Sequence, residues 1–257
     1  MLVDSHCHLD YFTEAEIDAL LDRARAAGVG RMVTIGVRVS QAPAVKALTE
    51  RYPDVWGTIG VHPHNAGEGE MPTVEELVAL ADHPRIIGIG ESGLDYFYDK
   101  SPRELQVEGF RRHIRAARAA GLPLTIHARQ ADNDIIRILR EERDAGGDFA
   151  FLLHCFSSGA ELARQAVAIG GYLSFSGILT FPKSPEIRAI AAEVPAERLL
   201  VETDSPYLAP VPLRGKRCEP AYVAHTARVL AEVRGLTQAE VEALTTDNFL
   251  RLFPKAV

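Results

Sequence analysis

The sequence has few of the residues that mark secreted, membrane-spanning or nucleic-acid-coating proteins. Its 257 residues include only 3 cysteines, an odd number without a pairing pattern, which predicts free thiols in a reducing cytoplasm. No apolar run reaches the length of a membrane span and no secretory signal precedes the first strand candidate, so we expect a cytoplasmic protein without membrane contact. Lys and Arg number 28 against 35 Asp and Glu, and the net charge of −7 argues against a broadly basic surface that binds duplex DNA.

What the chain does contain is a regular alternation of short β-branched apolar runs with amphipathic stretches. Eight runs are strand candidates, at residues 2–6, 31–36, 55–61, 86–91, 123–127, 149–154, 171–176 and 198–202. The stretches between them have helical spacing, for example at residues 14–27, 74–81, 103–120 and 132–142. Residues 221–253 predict two further helices, with Thr237 as an N-cap. Alternating units of this kind predict a (β/α)8 TIM barrel with extra C-terminal helices, formed by one domain at residues 1–257.

Ionisable side chains stand at the carboxyl ends of these strands, where a barrel of this type carries its active site. His6 and His8 form a His-x-His triplet, and strand alternation directs both imidazoles to one side and Cys7 to the other. The other candidates at strand ends are Glu91, His127, His154 and Asp204. One histidine after a strand is usually a core residue, but five strand ends that offer imidazole or carboxylate predict a shared metal site.

The number of candidate ligands favours two divalent ions over one. Four imidazoles and two carboxylates exceed the need of one ion with an open position, and Glu91 is the natural bridge. The predicted ligands are His6, His8, Asp204 and Glu91 for the first ion, and His127, His154 and Glu91 for the second. Such donors suit Zn, Mn or Fe, and Mg if waters complete its shell, so the identity of the metal stays open.

The segments that contain these residues resemble the TatD family of metal-dependent deoxyribonucleases, in the amidohydrolase superfamily. The matching segments are residues 4–10, 60–64, 90–96, 126–129, 154–156, 174–177 and 201–208. The run from Glu202 to Leu208 is the most specific of them. Many barrels of the superfamily bridge their metals with a modified lysine at the end of strand four. Glu91 stands there in this chain, which separates it from the lysine-bridged amidohydrolases.

The resemblance implies hydrolysis of phosphodiester bonds in DNA by a hydroxide that bridges two divalent metals. The expected activity is a 3′-to-5′ exonuclease on single strands, and the expected protein is a monomer. Asp204 is the candidate general base. His62 is expected at the substrate phosphate or the leaving group, with His64 as a further substrate-binding residue. Arg129 is placed to bind a phosphate, and a salt bridge that holds the rim together is its alternative role.

Two departures from the family pattern concern substrate preference. Gln130 stands where an acidic residue commonly follows the arginine, and Cys218 stands where asparagine is common. The loss of a charge beside Arg129 leaves that guanidinium freer to meet a phosphate. Cys155, next to a predicted ligand, is expected to face the outer apolar layer of the barrel.

Two other classes of function remain open at this point. The same metal site could hydrolyse an ester or amide, as in the D-aminoacyl-tRNA deacylase activity attributed to some relatives. A non-catalytic scaffold would require lost ligands, and none is lost. Phosphate or sulfate bound against the metals would favour phosphodiesters, a narrow apolar pocket beside them would favour an acyl substrate, and an empty, occluded mouth would favour the scaffold.

Overall fold

The eight predicted strands are present and form one parallel sheet. The computed structural model describes residues 1–257. The strands are β1 (Leu2–Cys7), β2 (Val29–Ile35), β3 (Val55–Ile59), β4 (Ile86–Asp95), β5 (Leu124–Arg129), β6 (Phe151–Leu153), β7 (Tyr172–Phe175) and β8 (Leu199–Val201). Each strand pairs with the next one along the chain, from β1 to β8. A parallel bridge between Cys7 and Ser205 joins the two edges, and the TIM-barrel prediction is confirmed.

Helices follow the strands and surround the sheet. They are α1 (Glu14–Ala26), α2 (Ala42–Arg51), α3 (Val74–Ala81), α4 (Arg103–Ala120), α5 (Asp132–Gly146), α6 (Ala160–Ala168), α7 (Pro185–Glu193), α8 (Val223–Arg234) and α9 (Gln238–Leu252). The Thr237 side chain accepts a hydrogen bond from the Glu240 backbone, so the predicted N-cap of α9 is confirmed. No helix combines the length and the hydrophobicity that crossing a membrane requires.

Apolar side chains cover the amino ends of the barrel strands but not their carboxyl ends. The main cluster of buried apolar side chains joins the strands to the helices of the outer layer. A second cluster combines strand residues such as Val3, Ile87 and Tyr172 with Phe249 and Phe253 near the end of α9. Since those three residues stand near the amino ends of their strands, α9 covers that end of the barrel. The carboxyl ends, where the ionisable residues lie, remain for a site.

Among the strands that carry candidate ligands, β4 has the end that differs most from the prediction. β4 does not end at Glu91 but continues to Asp95, because Gly93 and Asp95 keep their pairing with β5. The register is irregular between Ile89 and Ser92, next to Gly90. Gly90 has a φ of +121°, and a Cβ at this position would lie 2.6 Å from the Thr125 carbonyl oxygen, so only glycine fits.

Candidate metal centre

A cluster of imidazoles and carboxylates surrounds Glu91 at the carboxyl ends of the strands. Glu91 is 2% exposed, and its Oε1 lies 2.7 Å from His154 Nε2 and 3.1 Å from His127 Nδ1. Its Oε2 lies 3.4 Å from His6 Nε2. The two oxygens therefore face two different groups of histidines, which is the arrangement that a bridging carboxylate requires.

The first group lies where β1 and the loop after β8 meet. His6 Nε2 and His8 Nε2 are 3.3 Å apart, and Asp204 Oδ1 is 3.6 Å from the former and 3.4 Å from the latter. Asp204 has a φ of +59°, and its backbone N–H donates to the His6 carbonyl, which fixes the carboxylate against β1. Three ligand atoms of these residues lie within 4.8 Å of one another, a spacing that one ion can span.

Hydrogen bonds on the far sides of His8, His127 and His154 test whether this cluster fits a cation. His8 Nδ1 faces the Ile35 carbonyl at 3.3 Å, and a carbonyl only accepts, so the proton of a neutral ring lies on Nδ1. His8 Nε2 then presents a lone pair to the Asp204 carboxylate. His154 Nδ1 faces Glu202 Oε1 at 3.2 Å, and His127 Nε2 faces Asp95 Oδ2 at 3.1 Å. In neutral rings the opposite nitrogens direct lone pairs at Glu91.

Lone pairs that face carboxylate oxygens at these distances repel unless a cation or a proton lies between them. The donor set of imidazole nitrogens and carboxylate oxygens suits a divalent metal, and the rings of His8, His127 and His154 are oriented by partners on their far sides as metal-ligating histidines are. The residues present therefore fit one or more divalent ions. The predicted division of ligands between two ions stays a prediction.

Protons take the place of the cations when metal is absent. Burial opposes protonation of His154, yet Glu91 and Glu202 raise its pKa well above the usual value. Burial likewise opposes protonation of His8 and His127, whose pKa values are nevertheless raised by Asp204 and by Asp95, respectively. Despite its burial, the pKa of Glu91 is held well below its usual value by the surrounding histidines, so this carboxylate stays ionised.

These shifts predict that metal binding releases protons. Because the raised pKa values keep protons on the metal-free site, an arriving ion must displace up to one proton each from His8, His127 and His154. The apparent metal affinity should therefore rise with pH, by about tenfold per pH unit for each displaced proton. Calorimetric titration with Mn²⁺ at pH 6 and pH 8, in buffers of different ionisation enthalpy, measures this release. Equal affinity at both pH values would contradict it.

A cavity of about 560 Å³ opens above the cluster. Besides the candidate ligands it is lined by His62, His64, Lys100, Arg129 and Tyr98, and it adjoins a groove of about 790 Å³ in which Arg129 also stands. Tyr98 and Tyr207 on its rim are each about half exposed, so the mouth is not occluded. The cavity is thus polar and accessible.

Sequence profiles place the chain in one family. The family described as TatD related DNase matches residues 3–254. The chain belongs to this family. It is 39% identical over 256 residues to the uncharacterized metal-dependent hydrolase YabD of Bacillus subtilis, covering 98% of this chain and 99% of that protein. It is 35% identical to a Cronobacter sakazakii protein named 3'-5' ssDNA/RNA exonuclease TatD, covering 93% and 92% of the two chains.

Structural comparison agrees with the family. The crystal structure of YjjV, a TatD homolog from Escherichia coli, superposes with a TM-score of 0.90 at 26% identity, covering 98% of each chain. As a TatD-family protein the chain is a metal-dependent hydrolase, and the recognition made from its motifs is confirmed.

His62 and His64 lie beside the cluster in this TatD-family site, with different surroundings. His62 Nδ1 accepts a hydrogen bond from the His64 backbone at 3.0 Å, so the proton of the neutral ring lies on Nε2, 3.3 Å from Glu91 Oε1. Burial lowers the pKa of His62 to about 4 and keeps the ring neutral. His62 is thus a hydrogen-bond donor rather than a lone-pair ligand. His64 Nε2 faces Asp95 at 2.8 Å, which leaves only Nδ1 for a substrate.

Arg129 stacks on aromatic rings instead of forming the salt bridge considered for it. Its guanidinium carbon lies 4.3 Å from the Phe97 ring centre and 4.9 Å from that of Tyr98. These cation–π contacts leave the edge of the guanidinium free to donate. Gln130 follows with a φ of +52° and lines the adjoining groove, and Cys218 is fully buried away from the cavity.

The expectation for Cys155 was wrong. The residue lines the cavity, and its Sγ contacts Ser176 Oγ at 3.2 Å. Because β6 ends at Leu153 and Cys155 has a φ of +44°, strand alternation does not apply to it. Cys7 does lie in the outer apolar cluster, where its thiol donates to the Val33 carbonyl.

Three buried carboxylates that hold the cluster in place were missed by the sequence interpretation. Asp95 and Glu202 contact the candidate ligands His127 and His154 directly, and Asp4 accepts hydrogen bonds from the backbone and hydroxyl of Thr203 at 2.8 and 2.6 Å. Their spacing offered a signal, since Asp4 stands two residues before His6 and Glu202 two before Asp204. Asp4 thereby ties the loop after β8 to β1.

Proposed function

We propose that this TatD-family hydrolase cleaves phosphodiester bonds of DNA, acting from the 3′ end of single strands. The observation that supports the proposal best is the polar, open cavity in which cationic side chains of Arg129 and Lys100 stand beside the Glu91 cluster. A phosphodiester carries one negative charge per link, and such a cavity suits it better than an apolar acyl group would. The name of the Cronobacter relative supports the direction of cleavage and adds RNA as a substrate to test.

Two divalent ions, Zn, Mn, Mg or Fe, would be held by the ligands proposed from the sequence. His6, His8 and Asp204 would hold the first, His127 and His154 the second, and Glu91 would bridge them. When bound, such ions lower the pKa of water and neutralise charge on a phosphate. The residues of the chain would then accept a proton from the nucleophilic water, orient the scissile phosphate and bind the DNA strand.

Asp204 is the proposed general base. Its carboxylate lines the cavity and is 15% exposed, so it meets both the cluster and an incoming water. Although burial opposes ionisation, the hydrogen bond with His8 and the nearby histidines lower the pKa of Asp204, and it is ionised at neutral pH. An ionised carboxylate at the edge of the cavity can accept the proton that a nucleophilic water must lose.

His62 is the proposed donor to the phosphate or to the leaving oxygen. Its Nε2–H now points at Glu91, and a substrate oxygen in the cavity would compete for the same hydrogen. His113 fixes the segment that carries it, because His113 Nε2 accepts from the Val61 backbone at 2.9 Å. His64 is proposed as a weaker contact through its Nδ1.

Substitution of Arg129 should weaken the binding of longer strands. A free guanidinium at the junction of cavity and groove is placed for the phosphate next to the scissile one. Loss of one charge-assisted hydrogen bond costs about 1.5–3 kcal/mol, so Arg129→Ala should raise KM for a single-stranded oligonucleotide by about 10- to 100-fold, with little change in kcat. A dinucleotide without the neighbouring phosphate should be unaffected.

Arg103→Ala is the matched control for that measurement. Arg103 also stacks on an aromatic ring, that of Tyr96 at 4.2 Å, but it pairs with Asp99 and lines neither cavity nor groove. Arg103→Ala removes the same charge as Arg129→Ala but does not change the surface that we propose for the bound strand. An equal rise in KM for both variants would show a general charge effect and contradict a specific role for Arg129.

A substrate panel tests the function as a whole. Protein reconstituted with Mn²⁺, Mg²⁺ or Zn²⁺ is incubated with 5′-labelled single-stranded DNA, duplex DNA, RNA and tRNA charged with a D-amino acid. We expect stepwise shortening of the single strands from their 3′ ends and slower attack on the duplex. Hydrolysis of the charged tRNA alone would make the protein a deacylase. Absence of turnover with the ions bound would favour a scaffold.

We propose further that the protein works as a monomer in the cytoplasm. Its three cysteines are all free, and two of them are buried, which accords with a reducing compartment.

A further inference from the structure

Of the six buried side-chain atoms without a hydrogen-bond partner, two belong to neighbouring residues beneath the cavity. They are His6 Nδ1 and Glu202 Oε2, and both residues are fully buried. Unpaired polar atoms of this kind are rare in folded proteins, because each costs about 1–3 kcal/mol. Because the two atoms belong to neighbouring side chains, a hydrogen bond between them would satisfy both.

Glu202 lies beside the imidazoles of two candidate ligands. Its Oε1 accepts from His154 Nδ1 at 3.2 Å and from the Cys155 backbone N–H at 2.8 Å. His6 stacks on His154 with ring centres 3.8 Å apart and planes within 8° of parallel. One nitrogen of each ring and one Glu202 oxygen lie within 4.8 Å of one another. Glu202 Oε2 and His6 Nδ1 are thus the two unpaired atoms of this compact group of three side chains.

We propose that Glu202 is a positioning residue shared by both ions, one oxygen accepting Nδ1–H of His154 and the other accepting Nδ1–H of His6. Both rings then carry their protons on Nδ1 and present Nε2 lone pairs to the cluster. This inference rests on the proposed division of ligands, in which His6 belongs to the first ion and His154 to the second. Glu202 would thus orient one ligand of each ion from a single buried carboxylate.

An amide at this position distinguishes the two oxygens. In Glu202→Gln the amide oxygen must stay with the Cys155 N–H, which can only donate, and it still accepts from His154. The amide NH₂ then takes the place of Oε2 and faces His6 Nδ1. It can donate only to a lone pair there, which moves the proton of His6 to Nε2, the atom that should bind the first ion.

The corresponding substitution at Asp95 tests the second ion. Its Oδ1 accepts from the backbone N–H groups of Phe97 and Tyr98, and its Oδ2 faces His127 Nε2. In Asp95→Asn the amide oxygen stays with the two N–H groups, so the NH₂ faces His127 and moves its proton to Nδ1. That nitrogen is the one that faces Glu91 and should bind the second ion.

The two variants should therefore lose opposite ions. Changes in groups that orient metal ligands typically cost about 10- to 100-fold in metal affinity. Calorimetric titration with Mn²⁺ should show one weakened site in each variant. Anomalous diffraction at the manganese edge should place the loss at His6 and His8 in Glu202→Gln, and at His127 in Asp95→Asn. Wild-type affinity for both ions in Glu202→Gln, or loss of the same ion in both variants, would overturn the proposal.

A second measurement needs no variant. Long-range ¹H–¹⁵N correlation spectra of the Zn²⁺-loaded wild-type protein report which nitrogen of each imidazole carries the proton. We expect Nδ1–H for His6 and His154 and Nε2–H for His127. Nε2–H on His6 would refute the role of Glu202 even if the Gln variant failed to fold. A wild-type protein that binds fewer than two ions would instead contradict the two-ion part of the proposed function.

Discussion

Asp204→Asn should lower kcat by about 10²–10⁴-fold, the range that a general base contributes. Asparagine keeps the size and one ligand oxygen of the side chain but cannot accept a proton. The hydrogen bond from the Asp204 backbone to His6 does not involve the side chain, so the loop after β8 keeps its position. The variant should therefore fold and retain much of its metal while it loses turnover.

The measurement compares kcat per bound ion, with metal content determined by elemental analysis. Asp99→Asn is the matched control, since Asp99 is exposed, pairs with Arg103 and lies outside the cluster. Near-normal kcat in the Asp204 variant with its ions retained would exclude Asp204 as the base. A fall in kcat that follows metal loss in proportion would show that the residue acts as a ligand only.

Glu91→Ala should remove metal from both positions. The Glu91 carboxylate lies 2.7–3.4 Å from nitrogens of four imidazoles, those of His6, His62, His127 and His154. Its two oxygens face both groups of predicted ligands, and its loss leaves buried histidines without a central anion. Because groups that merely orient ligands cost about 10- to 100-fold in affinity, loss of the bridge should weaken metal binding by more than about 100-fold.

Elemental analysis after reconstitution checks this expectation. Glu142→Ala is the matched control, because Glu142 is also 2% exposed but pairs with Arg111 and Arg115 far from the cavity. That variant should lose stability and keep its metal. If Glu91→Ala still holds two ions per chain, the carboxylate is not the bridge.

Much of the barrel follows from local pattern alone. The predicted bounds of α3 and α4 coincide with those of the structure. The apolar spacing and the caps that define a helix depend only on its local sequence. The capping box at Thr237 is local in the same way. The order of strands also follows from the sequence, because short connections between alternating strands and helices permit only parallel neighbours.

The details of strand ends depend on neighbours and were predicted less well. β4 continues past Glu91 because Gly93 and Asp95 pair with residues of β5. The local sequence does not predict that pairing. β6 stops at Leu153, which turns Cys155 towards the cavity instead of the outer layer. In both cases the outcome depends on which backbone groups a neighbouring strand presents.

The sequence by itself determined the set of candidate donors, because the types of ligand that five predicted strand ends offer require no knowledge of distances. It also determined the family, through motifs that lie along the whole chain. Only the tertiary structure decided which nitrogen of each ring faces the cluster, since that depends on Ile35, Asp95 and Glu202 from other strands and loops. Hydrogen bonds between residues distant in the chain select the tautomer, and no pattern within one strand contains them.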